Sequence, residues 1–242
     1  MHVKKWTRLI RRAIPCQSCG AVIVAAGAAR RMAGGDKIMA DLGGEPLLVR
    51  TVRAFEATAV IREVVIVTRP DLIEAVSAAC QAAGFGKVRA VIAGGDTRQA
   101  SVQLGLAALE GVSLVAVQDG ARPFATPQLI DRVVRAAHTY GAAAPAIGVK
   151  DTVKVAKGGV VVRTPDRSSL FAVQTPQVFD FDLLRGALSQ AEKDGAAVTD
   201  DCSAVERLGM RIRLVEGEER NLKVTTRQDL LLARAMVQED WE

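Results

Sequence analysis

Six short apolar runs, separated by longer segments with helical spacing, are the feature that most restricts the fold of this chain. The runs predict β-strands at residues 21–26, 63–68, 88–92, 113–118, 142–149 and 211–216. Because strands that are apolar along their whole length must be covered on both faces, the alternation predicts a mostly parallel sheet with helices on both faces. The expected fold class is therefore α/β.

A double glycine interrupts this alternation in the stretch D-T-V-K-V-A-K-G-G-V-V-V-R-T, residues 151–164. The β-rich segments on either side of Gly158 and Gly159 predict a hairpin, which forms a projecting β-arm over about residues 150–165. An isolated hairpin is only marginally stable in water, so the arm needs a surface on which to pack. We therefore expect the β-arm to pack on a partner subunit.

Polar residues mark the starts of two predicted helices. Asp96 is predicted as the N-cap of the helix after the third strand. Thr226 and Asp229 have the spacing of a capping box and predict the start of the last helix. Pro46 suits the first turn of a further helix.

The positive charge of the chain is concentrated at its amino end. The net charge is +5, but residues 1–20 contain five of the 32 basic side chains and no acidic one, so the remainder carries 27 of each sign. A basic face for nucleic acid is therefore not expected. A length of 242 residues suits one large domain. We place this domain at residues 21–242, after a basic amphipathic leader at residues 1–20.

The leader leaves two interpretations open. Its apolar residues recur at helical spacing up to Pro15, which suits either an amphipathic helix on a membrane surface or a loosely ordered terminal segment. No apolar run is long enough to span a bilayer, so no stable membrane association is expected. Cys16 and Cys19 form a C-x-x-C, but Cys80 and Cys202 stand alone at unrelated spacings. The four cysteines are therefore interpreted as reduced thiols, which favours a cytoplasmic location.

The loop after the first strand has the composition of a ligand-binding loop. The stretch A-V-I-V-A-A-G-A-A-R-R-M-A-G-G-D-K, residues 21–37, fits neither of the two common glycine-rich nucleotide fingerprints. Its small residues would let a planar ligand approach the backbone. The positive charges of Arg30, Arg31 and Lys37 would face a polyphosphate. The alternative interpretation is a solvated turn with surface arginines.

A second candidate residue is Asp119, in the stretch V-A-V-Q-D-G-A-R-P. It is predicted to end a strand, where a carboxylate can hold Mg²⁺ together with substrate phosphates. The alternative interpretation is an aspartate that caps a turn.

Seven short motifs occur in order along the chain, and together they resemble one family. They are A-A-G-x-x-R-R-M with a downstream lysine, G-G-D-x-R-x-x-S, D-G-A-R-P, K-D-T, T-P-Q, T-D-D and N-L-K-V-T. In this combination the chain resembles the 2-C-methyl-D-erythritol 4-phosphate cytidylyltransferases of isoprenoid precursor synthesis, over about residues 21–240. The resemblance implies a Rossmann-like sheet of nucleotidyltransferase type. It also implies a homodimeric, Mg²⁺-dependent enzyme that transfers CMP from CTP to the polyol phosphate.

The resemblance also implies roles for individual residues. Arg31, Lys37 and Lys223 would be catalytic, and Asp119 would bind Mg²⁺. The cytidine site would be lined by Ala25, Ala26, Gly27, Gly95, Asp96 and Ser101. The acceptor would be surrounded by Arg122, Thr152, Arg167, Thr175 and Thr199. The chain departs from the family's pattern around Lys37, because Asp36 and Ile38 stand where the family commonly has proline and glutamine.

Two alternatives remain. A cytidylyltransferase for another polyol phosphate, such as ribitol 5-phosphate, would share the nucleotide half of the site. A non-catalytic nucleotide-sensing module would need the small residues of the first loop, but it would not need Lys37, Asp119 and Lys223 together. Neither alternative changes the predicted fold.

Overall fold

The structure, a computed structural model, describes residues 18–27 and 36–239. The strands in this part of the chain are β1 (Cys19–Val24), β2 (Ile61–Thr68), β3 (Val88–Ala93), β4 (Leu114–Asp119), β5 (Ala142–Gly148), β6 (Val155–Lys157), β7 (Val160–Arg163), β8 (Phe171–Val173), β9 (Gln177–Asp180) and β10 (Arg213–Glu216). The helices are α1 (Leu47–Ala57), α2 (Ile73–Ala82), α3 (Arg98–Ala107), α4 (Pro127–Tyr140), α5 (Phe181–Lys193), α6 (Asp201–Arg207) and α7 (Arg227–Gln238).

The main sheet has the strand order β10-β5-β9-β4-β1-β2-β3, and β8 pairs with β5 outside this path. The pairs along β4-β1-β2-β3 are parallel, as is the pair of β10 with β5. Strand β9 runs antiparallel between β4 and β5, and β8 runs antiparallel to β5. The sheet is therefore mostly parallel, as the sequence predicted, with an antiparallel insertion that the sequence did not reveal.

Helices cover both faces of the sheet. On one face, α1 and α4 pack through residues such as Phe55 and Ile130 against Ile23 of β1. On the other face, α3 and α5 pack through residues such as Leu106 and Leu188. Successive residues of a strand point to opposite faces, so the continuous apolar runs supply both cores. The doubly covered α/β fold is thus confirmed.

The strand limits agree closely with the predicted ones. β1 begins at Cys19, two residues before the predicted start, so the last two residues of segment 1–20 belong to the sheet. The earlier part of the leader, including its predicted amphipathic helix and Cys16, lies outside the described residues.

One of the two helix caps was predicted correctly. The capping box of Thr226 and Asp229 at the start of α7 is confirmed, because the side chain of each accepts a hydrogen bond from the backbone of the other. The prediction of Asp96 as an N-cap is wrong by one residue. Thr97 caps α3, with its side chain accepting a hydrogen bond from the N–H of Ala100. Both residue types cap helices well, so composition alone did not separate them.

The predicted hairpin is present as the pair β6 and β7. Gly158 and Gly159 at its turn have φ of 57° and 79°, which residues with a Cβ rarely adopt. The two strands form a sheet of their own, and every residue in them is exposed. The arm therefore projects from the main sheet, with apolar side chains such as Val160, which is 69% exposed, on its surface.

Candidate active site

A cavity of about 420 Å³ lies at the carboxyl ends of the parallel strands. Strands β1 and β4 are in register there, with Val24 opposite Asp119. This register brings the loop after β1 beside the Asp119 carboxylate, as expected for ligand sites in open α/β sheets. The described residues that line the cavity are Val24, Ala25, Ala26, Gly27, Lys37, Ile38, Gly95, Asp96, Thr97, Arg98, Ser101, Asp119, Ala121 and Lys223.

The cavity brings together nine of the site residues that the sequence and the family resemblance pointed to. They are the six expected at cytidine, namely Ala25, Ala26, Gly27, Gly95, Asp96 and Ser101, together with Lys37, Asp119 and Lys223. Arg31, predicted to hold the triphosphate, lies outside the described residues. Lys37 lines the cavity although its neighbours depart from the family's pattern. The neighbouring Asp36 accepts a hydrogen bond from the N–H of Ile38 and pairs with Arg69, which fixes the short helical turn that begins at Lys37.

One wall of the cavity is made of closely packed backbone. A Cβ at Gly94 would lie 2.5 Å from the Cβ of Ala26 and 2.8 Å from Oγ of Ser101. The Ser101 hydroxyl donates to the carbonyl of Thr97 and accepts from the N–H of Gly95. The loop before α3 thus packs closely against the loop after β1, with only small side chains at the contact. Such a wall suits a flat ring that contacts backbone groups.

The floor of the cavity carries a buried carboxylate surrounded by cations. Oδ2 of Asp119 is 2.8 Å from Nζ of Lys223 and 3.5 Å from Nε of Arg122, and Oδ1 is 3.7 Å from Nε of Arg98. Burial by itself would raise the pKa of Asp119, but the attraction of Lys223 and then of Arg98 outweighs it and lowers this pKa below its usual value. The carboxylate is therefore ionised at neutral pH.

Arg98 connects this carboxylate to a second one. Its Nη2 donates to Oδ2 of Asp201 at 2.7 Å, and Asp201 is 1% exposed at the start of α6. Burial disfavours the charge on Arg98, but the attraction of Asp201 more than compensates and raises the pKa of Arg98. Arg98 and Asp201 were not among the predicted site residues. Their positions in two of the family motifs could have indicated them, because Arg98 lies in G-G-D-x-R-x-x-S and Asp201 lies in T-D-D.

Thr175, predicted to contact the acceptor, is 4% exposed and is not among the residues that line the cavity. Its hydroxyl donates to Oε1 of Gln118 and accepts from the N–H of Asp119. Its carbonyl accepts from Nδ2 of Asn221, close to Lys223 in sequence. Thr175 thus joins the end of β4 to the segment that carries Lys223.

The other residues predicted at the acceptor are spread out. Arg122 reaches Asp119 on one side and donates to the carbonyl of Asn221 on the other. Thr199 is exposed in the loop before α6. Thr152 and Arg167 are exposed near the base of the arm, where Nη1 of Arg167 donates to the carbonyl of Lys150. Neither of these two is among the lining residues of the cavity in their own chain.

Comparisons with known proteins agree with this geometry. The profile of the 2-C-methyl-D-erythritol 4-phosphate cytidylyltransferase family matches residues 19–239. The chain belongs to this family. A family member from Geobacillus kaustophilus is 45% identical over 218 residues, which cover 90% of this chain and 96% of the relative. One from Geobacter metallireducens is 39% identical over 225 residues, which cover 90% of this chain and 97% of the relative.

Solved structures of cytidylyltransferases in this family have the same fold. The 4-diphosphocytidyl-2C-methyl-D-erythritol synthase of Anaerococcus prevotii superimposes with a TM-score of 0.82 at 31% identity, covering 92% of this chain and 96% of its own. The 2-C-methyl-D-erythritol 4-phosphate cytidylyltransferase of Thermus thermophilus gives a TM-score of 0.73 at 38% identity, and the match covers 90% of this chain and 98% of its own.

The residues of the cavity fit a magnesium ion that is shared with a ligand. Asp119 supplies one ionised carboxylate, and the described residues contain no group of three or more histidine, cysteine, aspartate or glutamate side chains that could hold a metal alone. Magnesium usually keeps water ligands and is held by one or two carboxylates plus substrate phosphates. The site therefore suits Mg²⁺ that is completed by a polyphosphate.

Proposed function

We propose that this chain transfers CMP from CTP to 2-C-methyl-D-erythritol 4-phosphate and releases pyrophosphate. The observation that carries the proposal is the ionised Asp119 at the cavity floor, with Lys223, Arg98 and Arg122 around it and a wall of small residues beside it. This arrangement suits a ligand that combines a flat base with a highly charged phosphate chain. Membership in the family adds the identity of both substrates.

The reaction is a displacement at the α-phosphorus of CTP. An oxygen of the acceptor's phosphate forms the new P–O bond, the bond to the β-phosphate oxygen breaks, and pyrophosphate leaves with the electron pair. The second pKa of a phosphate monoester is about 6, so the nucleophile is mostly deprotonated at neutral pH and needs no general base. A histidine is therefore not required as a base. None of the described residues that line the cavity is a histidine.

The protein's contribution is charge stabilisation and alignment. Lys37 and Lys223, together with Arg31, would hold the triphosphate, and Asp119 would hold Mg²⁺, which would neutralise charge on the phosphates. The backbone of Ala25–Gly27 and of the loop before α3 orients cytidine. These interactions fix CTP, so that an acceptor oxygen can approach in line with the leaving group, which is the main requirement of this chemistry.

The acceptor pocket is completed in a homodimer. The three valines of β7 are exposed on the arm, and Phe171 of β8 is 50% exposed; exposed apolar side chains of this kind favour a protein partner. Thr152 and Arg167 flank the arm and do not line their own chain's cavity. A second copy that packs on the arm would receive both residues at its acceptor site.

The cell compartment proposed for this enzyme is the cytoplasm. Cys19, Cys80 and Cys202 are free and buried, as suits a reducing compartment. Among the described residues, no helix is both long enough and apolar enough to cross a bilayer. The balanced charge of residues 21–242 does not point to a nucleic-acid partner.

Pyrophosphate release with CTP and Mg²⁺ tests the proposed activity. It is measured with methylerythritol phosphate, with ribitol 5-phosphate and with no acceptor. We expect release that depends on methylerythritol phosphate and is abolished in Asp119→Ala, while Asp131→Ala, in an exposed pair with Arg135, retains it. A preference for ribitol 5-phosphate would identify a different acceptor. No release with either acceptor would indicate a nucleotide-binding module.

A further inference from the structure

Lys223 occupies the position beside Asp119 that a metal ion would need. Its Nζ is 2.8 Å from Oδ2 of Asp119, closer than either of the arginines that also face this carboxylate. A lysine ammonium and a divalent cation that contact the same carboxylate oxygen repel each other. Binding of a metal at Oδ2 is therefore opposed while the ammonium stays, and the other oxygen, Oδ1, faces Arg98 at 3.7 Å.

Three cations face the carboxylate of Asp119 directly. Lys223, Arg122 and Arg98 lie 2.8, 3.5 and 3.7 Å from its oxygens, and only Arg98 is shared with a second carboxylate, that of Asp201. A free divalent cation that approaches the Asp119 oxygens therefore meets positive charge on each side. A nucleoside triphosphate brings several negative charges and reverses that balance.

Of the three cations, Lys223 is the one that can move. Arg98 is held by Asp201 at 2.7 Å, and Arg122 donates to the carbonyl of Asn221 at 2.6 Å. The Lys223 side chain is 41% exposed, compared with 30% for Arg98 and 12% for Arg122. Its flexible stem can therefore turn towards the cavity while the two arginines stay in place.

The backbone of Lys223 is fixed, so a movement of its side chain is well defined. The N–H of the next residue, Val224, donates to the carbonyl of Ala121 at 2.8 Å, and the Val224 side chain is fully buried. Ala121 itself lines the cavity. A change in the Lys223 side-chain torsions alone would therefore move the ammonium from the Asp119 carboxylate into the cavity, because the backbone that carries it stays anchored.

We propose that Lys223 acts as an exchangeable counter-ion of Asp119, which excludes divalent cations from the carboxylate until a nucleoside triphosphate draws its ammonium away. This inference rests on the site assigned under the proposed function. It predicts that the metal enters only with the nucleotide, and that the same lysine then neutralises phosphate. Asp119 thereby keeps a cationic partner in the absence of substrate.

Mn²⁺ binding, followed by the loss of the free-ion EPR signal, tests the proposal without any turnover. The measurement uses the full chain without acceptor, with and without CTP, in the wild type, Lys223→Met and Lys193→Met. Lys193 is an exposed residue at the end of α5, so its variant is a control for the loss of one positive charge elsewhere. Circular dichroism establishes that each variant is folded.

We expect weak Mn²⁺ binding by the wild type and Lys193→Met without CTP. Lys223→Met should bind the free ion at least about tenfold more tightly, as suits removal of one close charge. The gain should disappear in Lys223→Met with Asp119→Asn, which places the ion at the carboxylate. Equal Mn²⁺ affinity of wild type and Lys223→Met without CTP would overturn the proposal. Because no acceptor is present, that outcome is independent of whether CMP transfer occurs.

Discussion

The backbone N–H of Asp119 donates a 3.0 Å hydrogen bond to the side-chain hydroxyl of Thr175. The same hydroxyl donates to Gln118 at 2.8 Å, so both strand-end residues depend on it. Thr175→Val keeps the shape of the side chain but leaves the buried N–H without its acceptor, at a cost of about 1–3 kcal/mol. We expect lower thermal stability and a lower kcat in this variant, while Thr175→Ser stays near the wild type.

Steady-state kinetics distinguish this positioning role from direct contact with the acceptor. Displacement of Asp119 should lower kcat with both substrates at saturation. A Thr175→Val enzyme with normal kcat and a raised KM for the acceptor alone would instead assign the hydroxyl to acceptor binding.

The ion pair of Arg98 and Asp201 should make the two residues energetically coupled. Arg98→Lys keeps the charge but gives up the fork with which arginine reaches two carboxylates. We expect kcat/KM to fall by roughly tenfold in Arg98→Lys and in Asp201→Asn, with a coupling of about 1–3 kcal/mol in the double variant. Arg185→Lys, in an exposed pair with Asp182, is the control and should change little. Strictly additive losses would show that the buried pair does not act as a unit.

Mixed dimers test whether the arm supplies acceptor residues to the second subunit. Arg167→Ala and Lys37→Ala chains, each inactive alone, should recover activity when they form heterodimers. One pocket of each heterodimer would carry both defects and the other neither, which predicts about half of the wild-type activity if the pockets act independently. Heterodimers as inactive as their parents would place Arg167 and Lys37 in the pocket of the same chain.

The capping box of α7 should make stability depend on pH in the acidic range. Burial raises the pKa of Asp229, but hydrogen bonds from Thr225 and Thr226 outweigh it and lower this pKa below its usual value. The ionised form therefore stabilises the fold above about pH 4, and this contribution is lost as the pH falls through the lowered pKa. Asp229→Asn should cost about 1 kcal/mol at pH 7 by urea unfolding, and less at low pH. A difference that does not change with pH would contradict the assignment.

Burial should protect the thiols of the folded core. It raises the pKa of Cys80 to about 11 and that of Cys19 to about 12, and burial raises the pKa of Cys202 as well. In Cys16→Ser, the remaining thiols should therefore react very slowly with Ellman's reagent at pH 8, and fully after addition of guanidinium. Rapid reaction of the folded variant would show that one of these thiols is reached by solvent at pH 8.

The parts of the fold that local patterns specify were predicted closely. Apolar runs located the parallel strands to within two residues, and Gly158 and Gly159 located the hairpin turn. Strands β8 and β9 were missed because each has only three or four residues, too few to show a period. The shift of the α3 cap from Asp96 to Thr97 depends on backbone angles that composition does not encode.

The candidate site, like the fold, could be predicted only where local sequence patterns specify it. The loop after β1 and Asp119 could be placed together because neighbouring parallel strands end at one edge of the sheet. Arg98 and Asp201 form an ion pair although they lie 103 positions apart in the chain. The sequence around either residue does not indicate which residue it pairs with. The hydrogen bonds of the Thr175 hydroxyl to Gln118 and Asp119 likewise could not be predicted, because they depend on how β4 packs against the segment around Pro176.

The position of β9 in the sheet imposes an order on the folding of the chain. β5 precedes β9 in sequence, yet β9 lies between β5 and β4. As the chain leaves the ribosome, residues 142–148 therefore have no neighbour on the β4 side until residues 177–180 follow, and β10 must wait for β5 in turn. During synthesis, the amino-terminal strands β1–β4 can therefore associate before the half of the sheet that carries the arm is complete.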